Sequence, residues 1–231
     1  MIYILYFLTG TIVVINLFIF FQCLGMLYPS KIKLKPITKE KAQFEFNTKV
    51  KNIEQELIEL GFCVLGYSAL TNISMMLLKH DQTNVVCLIY MDKYNKKISY
   101  EFYLKSLLGK DIFIASCEMP IGFEHVDGER CRFPVDFTPK IAYLSVLEYI
   151  NNNALDGSLD TVEKLLFLIT DYMEKHAKYL TQRGWLYPTD TDVEYQRVSF
   201  KGALVLFFRL GIPTSFYILY KENKRFKDKF M

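Results

Sequence analysis

Apolar and polar residues are distributed in two distinct ways along the chain. From residue 2 to residue 28 there is no charged side chain, and the polar interruptions are few: Thr9, Thr11, Asn16 and Gln22. A run of about 20 apolar residues is enough to cross the core of a bilayer. From residue 47 onward, apolar residues instead recur at the spacing of amphipathic helices and strands. The pattern therefore predicts a transmembrane anchor over residues 1–28, followed by a folded domain over 47–200.

The flanks of the anchor predict that it is retained and fix its orientation. No basic n-region precedes it and no small-residue cleavage site follows it, in contrast to a secretory signal peptide. Basic residues crowd its C-terminal side: Lys31, Lys33, Lys35, Lys39 and Lys41. Since basic loops stay in the cytoplasm, we expect a single-pass protein of the cell membrane, inner or plasma, with its N-terminus outside and its domain in the cytoplasm.

Residues 29–46 form a basic linker in this interpretation, because Pro36 would interrupt a helix there. The domain then opens with an amphipathic helix that begins near Thr48 and ends at Gly61. Short apolar runs bounded by turn residues follow and are typical of antiparallel strands. They cover 62–70, 73–79, 85–91, 98–105 and 112–117, together with the two arms of a hairpin around Asp127 and Gly128.

Two further helices are predicted after the strands. Thr138 and Pro139 begin a helix that runs to about Asn151, and Asp160 with Glu163 forms a capping box for a longer helix that ends before Gly184. This order of elements predicts an α+β fold in which about three helices cover one face of an antiparallel sheet.

The segment 201–231 is apolar at first and basic at its end, and its placement is open. Arg209 and Pro213 interrupt the apolar stretch 202–220, so it could span the membrane, lie on it or pack in the domain core. The amphipathic, membrane-surface alternative is favoured because cations at its ends can reach the headgroups. The predicted contacts with anionic lipid are Arg209, Lys221, Lys224 and Arg225.

The net charge limits the classes of binding partner, and the cysteine content indicates the redox compartment. The net charge is only +3, which gives no basic field for nucleic acid. The five cysteines are an odd number without a CxxC pair, which favours free thiols, buried where they lie in apolar strand patterns, and a reducing compartment.

Few residues suggest a catalytic or metal-binding site. His125, Asp127, Glu129 and Cys131 alternate, as metal ligands on one face of a strand would, but Asp127-Gly128 is more simply a turn. Of the other two histidines, His176 is expected on an exposed helix face and His80 beside a turn. The sequence carries no phosphate-binding loop or hydrolase motif. We therefore expect no catalytic residue, cofactor or metal.

An aromatic and basic cluster follows the last long helix. Arg183, Trp185 and Tyr187 have the composition of a contact site for a protein partner, although a lone tryptophan is more often a core residue. The leading hypothesis is a membrane-anchored interaction or scaffold protein that presents its domain to a protein partner. The alternative is a membrane-associated enzyme that acts on a lipid or a lipid-linked substrate.

Overall fold

The structure is a computed structural model that describes residues 2–32, 34–42, 48–70, 72–105, 111–116, 122–123, 128–133, 137–152, 161–189 and 193–231. The chain divides into two compact units. The first unit comprises Met1–Ile32, Met119–Val126 and Tyr172–Lys221, and the second comprises Lys33–Glu118, Asp127–Asp171 and Glu222–Met231.

Seven helices and nine strands lie in the described residues. The helices are α1 (Ile2–Gly25), α2 (Lys39–Ala42), α3 (Thr48–Glu59), α4 (Pro139–Asn152), α5 (Val162–Gln182), α6 (Phe200–Leu210) and α7 (Thr214–Phe230). The strands are β1 (Leu27–Pro29), β2 (Lys35–Ile37), β3 (Phe62–Leu70), β4 (Ile73–His80), β5 (Val86–Asp92), β6 (Ile98–Lys105), β7 (Asp111–Ser116), β8 (Gly128–Phe133) and β9 (Tyr195–Arg197).

The second unit is built on a seven-stranded sheet whose strands, β2 to β8, lie side by side in chain order. Neighbouring strands are antiparallel except for the last pair, in which β7 and β8 are parallel. The α+β class and the mostly antiparallel sheet are therefore confirmed, whereas the expected cover of about three helices is not; the described residues contain seven helices in all.

Apolar side chains fill both faces of this sheet. Alternate residues such as Met76, Ile89 and Phe102 are buried in a core shared with α3, α4 and the end of α7. Their neighbours on the opposite face, among them Leu77 and Leu88, are buried as well. Both faces of the central strands are therefore buried, which explains why β4 and β5 are nearly continuous apolar runs in the sequence.

One glycine allows the start of α5 to approach the sheet on β3. A Cβ atom built on Gly66 would lie 2.7 Å from Cγ2 of Val162, and the register of β3 against β4 shifts at the same place. Only a residue without a side chain permits this approach.

Local signals set the helix ends in the second unit. The chain leaves α3 through Gly61, which has a φ of +95° that glycine adopts readily. Thr138 Oγ1 accepts a hydrogen bond from the Ile141 N–H at the start of α4. At the start of α5 the cap is Thr161, which accepts from the Lys164 N–H, whereas the predicted cap, Asp160, lies outside the described residues.

The predicted hairpin at Asp127-Gly128 has its first arm outside the described residues, so it stays a prediction. Its second arm is β8, which pairs in parallel with β7, whereas the arms of a hairpin are antiparallel. Residues 124–127 lie outside the described part of the chain.

The segment 29–46, predicted as a linker, contains regular structure. β2 pairs antiparallel with β3, and α2 follows it with a buried Ala42. In the first unit, β1 pairs antiparallel with β9.

A buried ion pair fastens the end of α7 to the edge of the sheet in the second unit. Arg132 on β8 is 2% exposed, and its Nε lies 3.3 Å from Oε2 of Glu222. Arg132 also donates a hydrogen bond to the side chain of Asn223. One turn further along α7, Phe226 packs against Phe133. The predicted basic tail is thus the polar face of a docked helix.

Candidate membrane-facing and partner-facing surfaces

α1 is apolar around its whole circumference and is largely uncovered. By length and composition it could cross a membrane, and so could the bent pair α6–α7 if it were one span. Only 6% of the most apolar stretch of α1 is buried in the structure. Side chains such as Phe7, Val14 and Phe18 are more than half exposed. The core helix of a soluble protein would be covered by its neighbours.

α6 packs along the second half of α1 within the first unit. Phe20 lies between two rings of α6, with ring centroids 5.8 Å from Phe200 and 5.7 Å from Phe207. The covered face of α6 includes Gly202 and Ala203, which lie beside the backbone that leads into this helix. A Cβ on Gly202 would meet the carbonyl oxygen of Trp185 at 2.0 Å, so this position requires glycine.

The polar side chain in the middle of α1 bonds to the corner between α6 and α7. Asn16 Nδ2 donates to the carbonyl oxygen of Ile212, and the Ile212 N–H donates to Asn16 Oδ1, both at 2.9 Å. A Cβ on the preceding residue, Gly211, would lie 2.9 Å from Asn16 Oδ1. Asn16 was an interruption in the sequence pattern, and its partner could not be found there because the two residues are far apart in the chain.

The four predicted lipid-contact cations lie on α6 and α7. Arg209 is half-buried near the end of α6, whereas Lys221, Lys224 and Arg225 are exposed on α7. The ammonium of Lys221 lies 4.7 Å from the ring centroid of Tyr217, one turn earlier. That turn exposes further aromatic side chains, Phe216 and Tyr220. Aromatic residues followed by cations are typical of a helix at a membrane surface.

The predicted contact residues on the loop after α5 differ in their burial. Trp185 is only 8% exposed and stacks on Phe123, with ring centroids 5.5 Å apart and planes at 18°. Arg183 and Tyr187 are exposed, and the Arg183 guanidinium lies 5.4 Å from the Trp185 ring centroid. Trp185 is therefore a core residue of the first unit that supports Arg183, while its two neighbours provide the accessible surface.

A cleft of about 470 Å³ is lined by residues adjacent in the chain to these two. Its walls come from α5, from the segment after β1 and from the chain before β9. They include Lys31, Glu174, Lys178, Gln182 and Pro188. Gln182 directly precedes Arg183 in the chain and Pro188 directly follows Tyr187, so the cleft and the exposed pair form one surface. We call it the loop surface.

His176 is buried, contrary to the expectation that it would be exposed. It is 3% exposed, and its Nδ1 is hydrogen-bonded to the hydroxyl of Tyr28, which follows α1. Its ring also stacks near Tyr179. The sequence placed His176 among charged residues on α5, and the strand β1 that brings Tyr28 to it was not predicted.

The second described histidine, His80, has a structural role in the second unit. Its Nε2 lies 2.9 Å from the carbonyl oxygen of Leu60, while its Nδ1 accepts from the N–H groups of Gln82 and Thr83. These three bonds place the proton on Nε2 and hold the turn after β4.

The thiols for which the structure gives a chemical environment are poor nucleophiles. Cys63 is exposed rather than buried as expected, and its hydrogen bond to Asp81, together with the charge of that carboxylate, raises the pKa of the thiol. Burial and the nearby Glu101 raise the pKa of Cys87 further. Thiolates, not thiols, attack substrates.

In the described residues no group of three His, Cys, Asp or Glu side chains is arranged to hold a metal ion. The alternating set proposed from sequence is only partly covered, since His125 and Asp127 lie outside those residues and Cys131 is buried. Comparison of the chain with protein-family models, with curated proteins and with solved structures gave no match.

Proposed function

We propose that this chain is a membrane-anchored interaction protein that presents its α+β domain to a protein partner at the cytoplasmic face of the cell membrane. α1 is the anchor, with the N-terminus outside. The observation that carries the proposal is the exposure of α1, since a helix that is apolar all round and uncovered needs lipid as its solvent.

The partner-contact surface is the loop surface formed by Arg183, Tyr187 and the adjoining cleft. Tyrosine and arginine are enriched in the energetically dominant part of protein interfaces. The stacking of Arg183 on the buried Trp185 supports this role, because it limits the freedom of the guanidinium before binding.

The alternative, an enzyme acting on a lipid or lipid-linked substrate, needs a general acid, base or nucleophile in a pocket. The described walls of the cleft contain the ionisable residues Lys31, Glu174 and Lys178 but neither histidine nor cysteine. His80 and His176 make their hydrogen bonds elsewhere, as described above, which favours the interaction protein.

Crosslinking in cells, followed by purification of the tagged full-length chain in mild detergent, tests the proposal. The informative variant combines Arg183→Glu with Tyr187→Ala, and the matched control is Tyr94→Ala, which removes a tyrosine that is 78% exposed in the second unit. We expect one stoichiometric protein partner with the parent and the control, and its loss with the double variant. Enrichment of a lipid without any crosslinked protein would instead favour the enzyme.

A further inference from the structure

The corner between α6 and α7 is irregular in path, and several of its backbone groups are paired within the protein. The Gly211 N–H donates to the oxygen of Phe207 at 2.7 Å, and the Ser215 N–H donates to the oxygen of Gly211 at 2.8 Å. The Phe216 N–H donates to the oxygen of Pro213 at 3.1 Å, and proline has no N–H to satisfy. Ile212, between them, uses both of its groups on Asn16.

The two bonds from Asn16 matter because of what surrounds the corner. In water, solvent would satisfy such groups at an exposed turn. In hydrocarbon, irregular backbone is tolerated only where protein or a water-filled cavity surrounds it, so the groups of Ile212 need a protein partner there. Asn16 supplies the two partners that the local chain does not, from the middle of an otherwise apolar helix.

The corner also lies at the level of the anchor's interior. α6 starts beside the end of α1, where the Val198 N–H donates to the oxygen of Met26 at 3.1 Å. Asn16 is nine residues before Gly25, about 13 Å along the helix, and the 11 residues of α6 cover a similar length, about 16 Å. The hydrocarbon core is about 30 Å thick.

The exposed side chains of α6 and of the start of α7 are largely aromatic, as expected of a surface that contacts lipid. Phe208 on α6 is 62% exposed, and Phe216, Tyr217 and Tyr220 at the start of α7 are each more than half exposed. These side chains belong to the same compact unit as the exposed α1. The exposed Lys221 follows them, and Arg209 has a long side chain that can extend toward headgroups.

We infer that α6 and the first two turns of α7 form a re-entrant element that enters the cytoplasmic leaflet beside α1, with bilayer lipid as its binding partner. The two helices meet at a bend of 72°, so α7 does not continue the direction of α6, and its run of charges from Lys221 onward disfavours a second crossing of the membrane. This inference rests on the proposed anchor. It places residues 202–220 within the bilayer leaflet instead of on the membrane surface.

Tryptophan quenching in vesicles measures the depth directly. Trp185 is the only tryptophan of the chain, so Trp185→Phe gives a background in which a single new tryptophan reports its own position. Phe208→Trp tests the re-entrant element. Phe18→Trp on α1 is the positive control, and Phe167→Trp, at a position 75% exposed on α5, is the negative control. The full-length variants are reconstituted in vesicles with lipids brominated either near the headgroup or deep in the acyl chain.

We expect the deep bromines to reduce the fluorescence of the Phe208→Trp variant nearly as much as that of the Phe18→Trp variant, and to leave the Phe167→Trp variant unchanged. Quenching of the Phe208→Trp variant by the shallow bromines alone would overturn the inference in favour of a surface helix, while the Phe18→Trp variant would still report an inserted anchor. Absence of quenching in both of these variants would overturn the anchor and the re-entrant element together.

Discussion

The second unit buries large apolar side chains on both faces of its sheet, whereas the first unit leaves most of α1 uncovered. Their buried polar groups differ as well. The second unit pairs a charged guanidinium, Arg132, with Glu222, and the first satisfies a neutral amide, Asn16, with backbone groups. A charge within a spanning segment is costly, whereas an amide bonded to a neighbouring chain is common there. The comparison supports the proposal that the first unit is completed by lipid, whereas the second unit buries its own apolar side chains.

The largest expected effect is on the ion pair of the second unit. Arg132→Met leaves the Glu222 carboxylate without its cationic partner in a largely buried place, which costs about 3–5 kcal/mol of unfolding free energy. Lys97→Met, at an exposed turn position, is the control. Thermal unfolding in detergent, followed by circular dichroism, measures the loss, while the fluorescence of Trp185 reports the first unit separately.

The double variant Arg132→Met with Glu222→Leu sharpens this test. Replacing a buried ion pair by apolar residues is often neutral, so we expect it to recover most of the lost stability. A double variant as unstable as Arg132→Met alone would show that the pair is not the source of the effect.

A charged side chain in the anchor should weaken the membrane insertion of the first unit. Val14→Arg places a cation in the middle of α1, at a cost of about 2.5–3.5 kcal/mol for insertion. Phe167→Arg makes the same kind of change at an exposed position of α5. We expect alkaline extraction to release part of the first variant from membranes and none of the second. Equal retention of both variants would argue against a spanning α1.

A smaller effect is expected at the corner that Asn16 holds. Asn16→Leu makes α1 more apolar but leaves the N–H and the carbonyl oxygen of Ile212 without their partners, at about 1–3 kcal/mol. Thr11→Val is the matched control, because Thr11 bonds only to the oxygen of Phe7 within its own helix. Limited proteolysis of reconstituted protein should cleave near residue 212 faster in Asn16→Leu than in the control. An unchanged rate would mean that α6 is held by its packing alone.

The smallest effect is expected at Cys63, an exposed thiol of the second unit. Because Asp81 raises the pKa of Cys63, less of this thiol is ionised at neutral pH than in a free cysteine, and alkylation should become fast only at higher pH. Asp81→Asn removes the charge, so the rate profile should move to lower pH. The rate of carboxymethylation at Cys63, measured by mass spectrometry against pH with Asp92→Asn as control, checks the sign. A profile that stays in place would exclude Asp81 as the cause.

Much of the second unit could be predicted from its sequence because its signals are local. The strand at 62–70 was placed at its observed bounds, and the start of α4 follows from Thr138 and Pro139. The parallel pairing of β8 could not be predicted, since a dipeptide such as Asp127-Gly128 favours a hairpin and carries no information about a strand elsewhere in the chain. The domain bounds 47–200 stay a prediction.

The first unit was less predictable because contacts distant in sequence define it. In the sequence, Asn16 is a polar interruption of an apolar helix, and its bonds to Ile212 are visible only in the structure. His176 was predicted to be exposed, and its contact with Tyr28 is likewise visible only in the structure. Trp185 was named together with Arg183 and Tyr187 from composition alone, yet only these two neighbours are accessible. Burial distinguishes the three residues, and burial depends on tertiary structure.

The placement of the two ends of α1 on opposite sides of a membrane is the central claim, and cysteine labelling in sealed vesicles tests it most directly. In a background with both Cys63→Ser and Cys117→Ser, Ile4→Cys and Tyr94→Cys each add one thiol at a well-exposed position. With a membrane-impermeant maleimide, the account predicts labelling at position 94 from the cytoplasmic side only and at position 4 from the opposite side only. Labelling of both positions from the same side would contradict it.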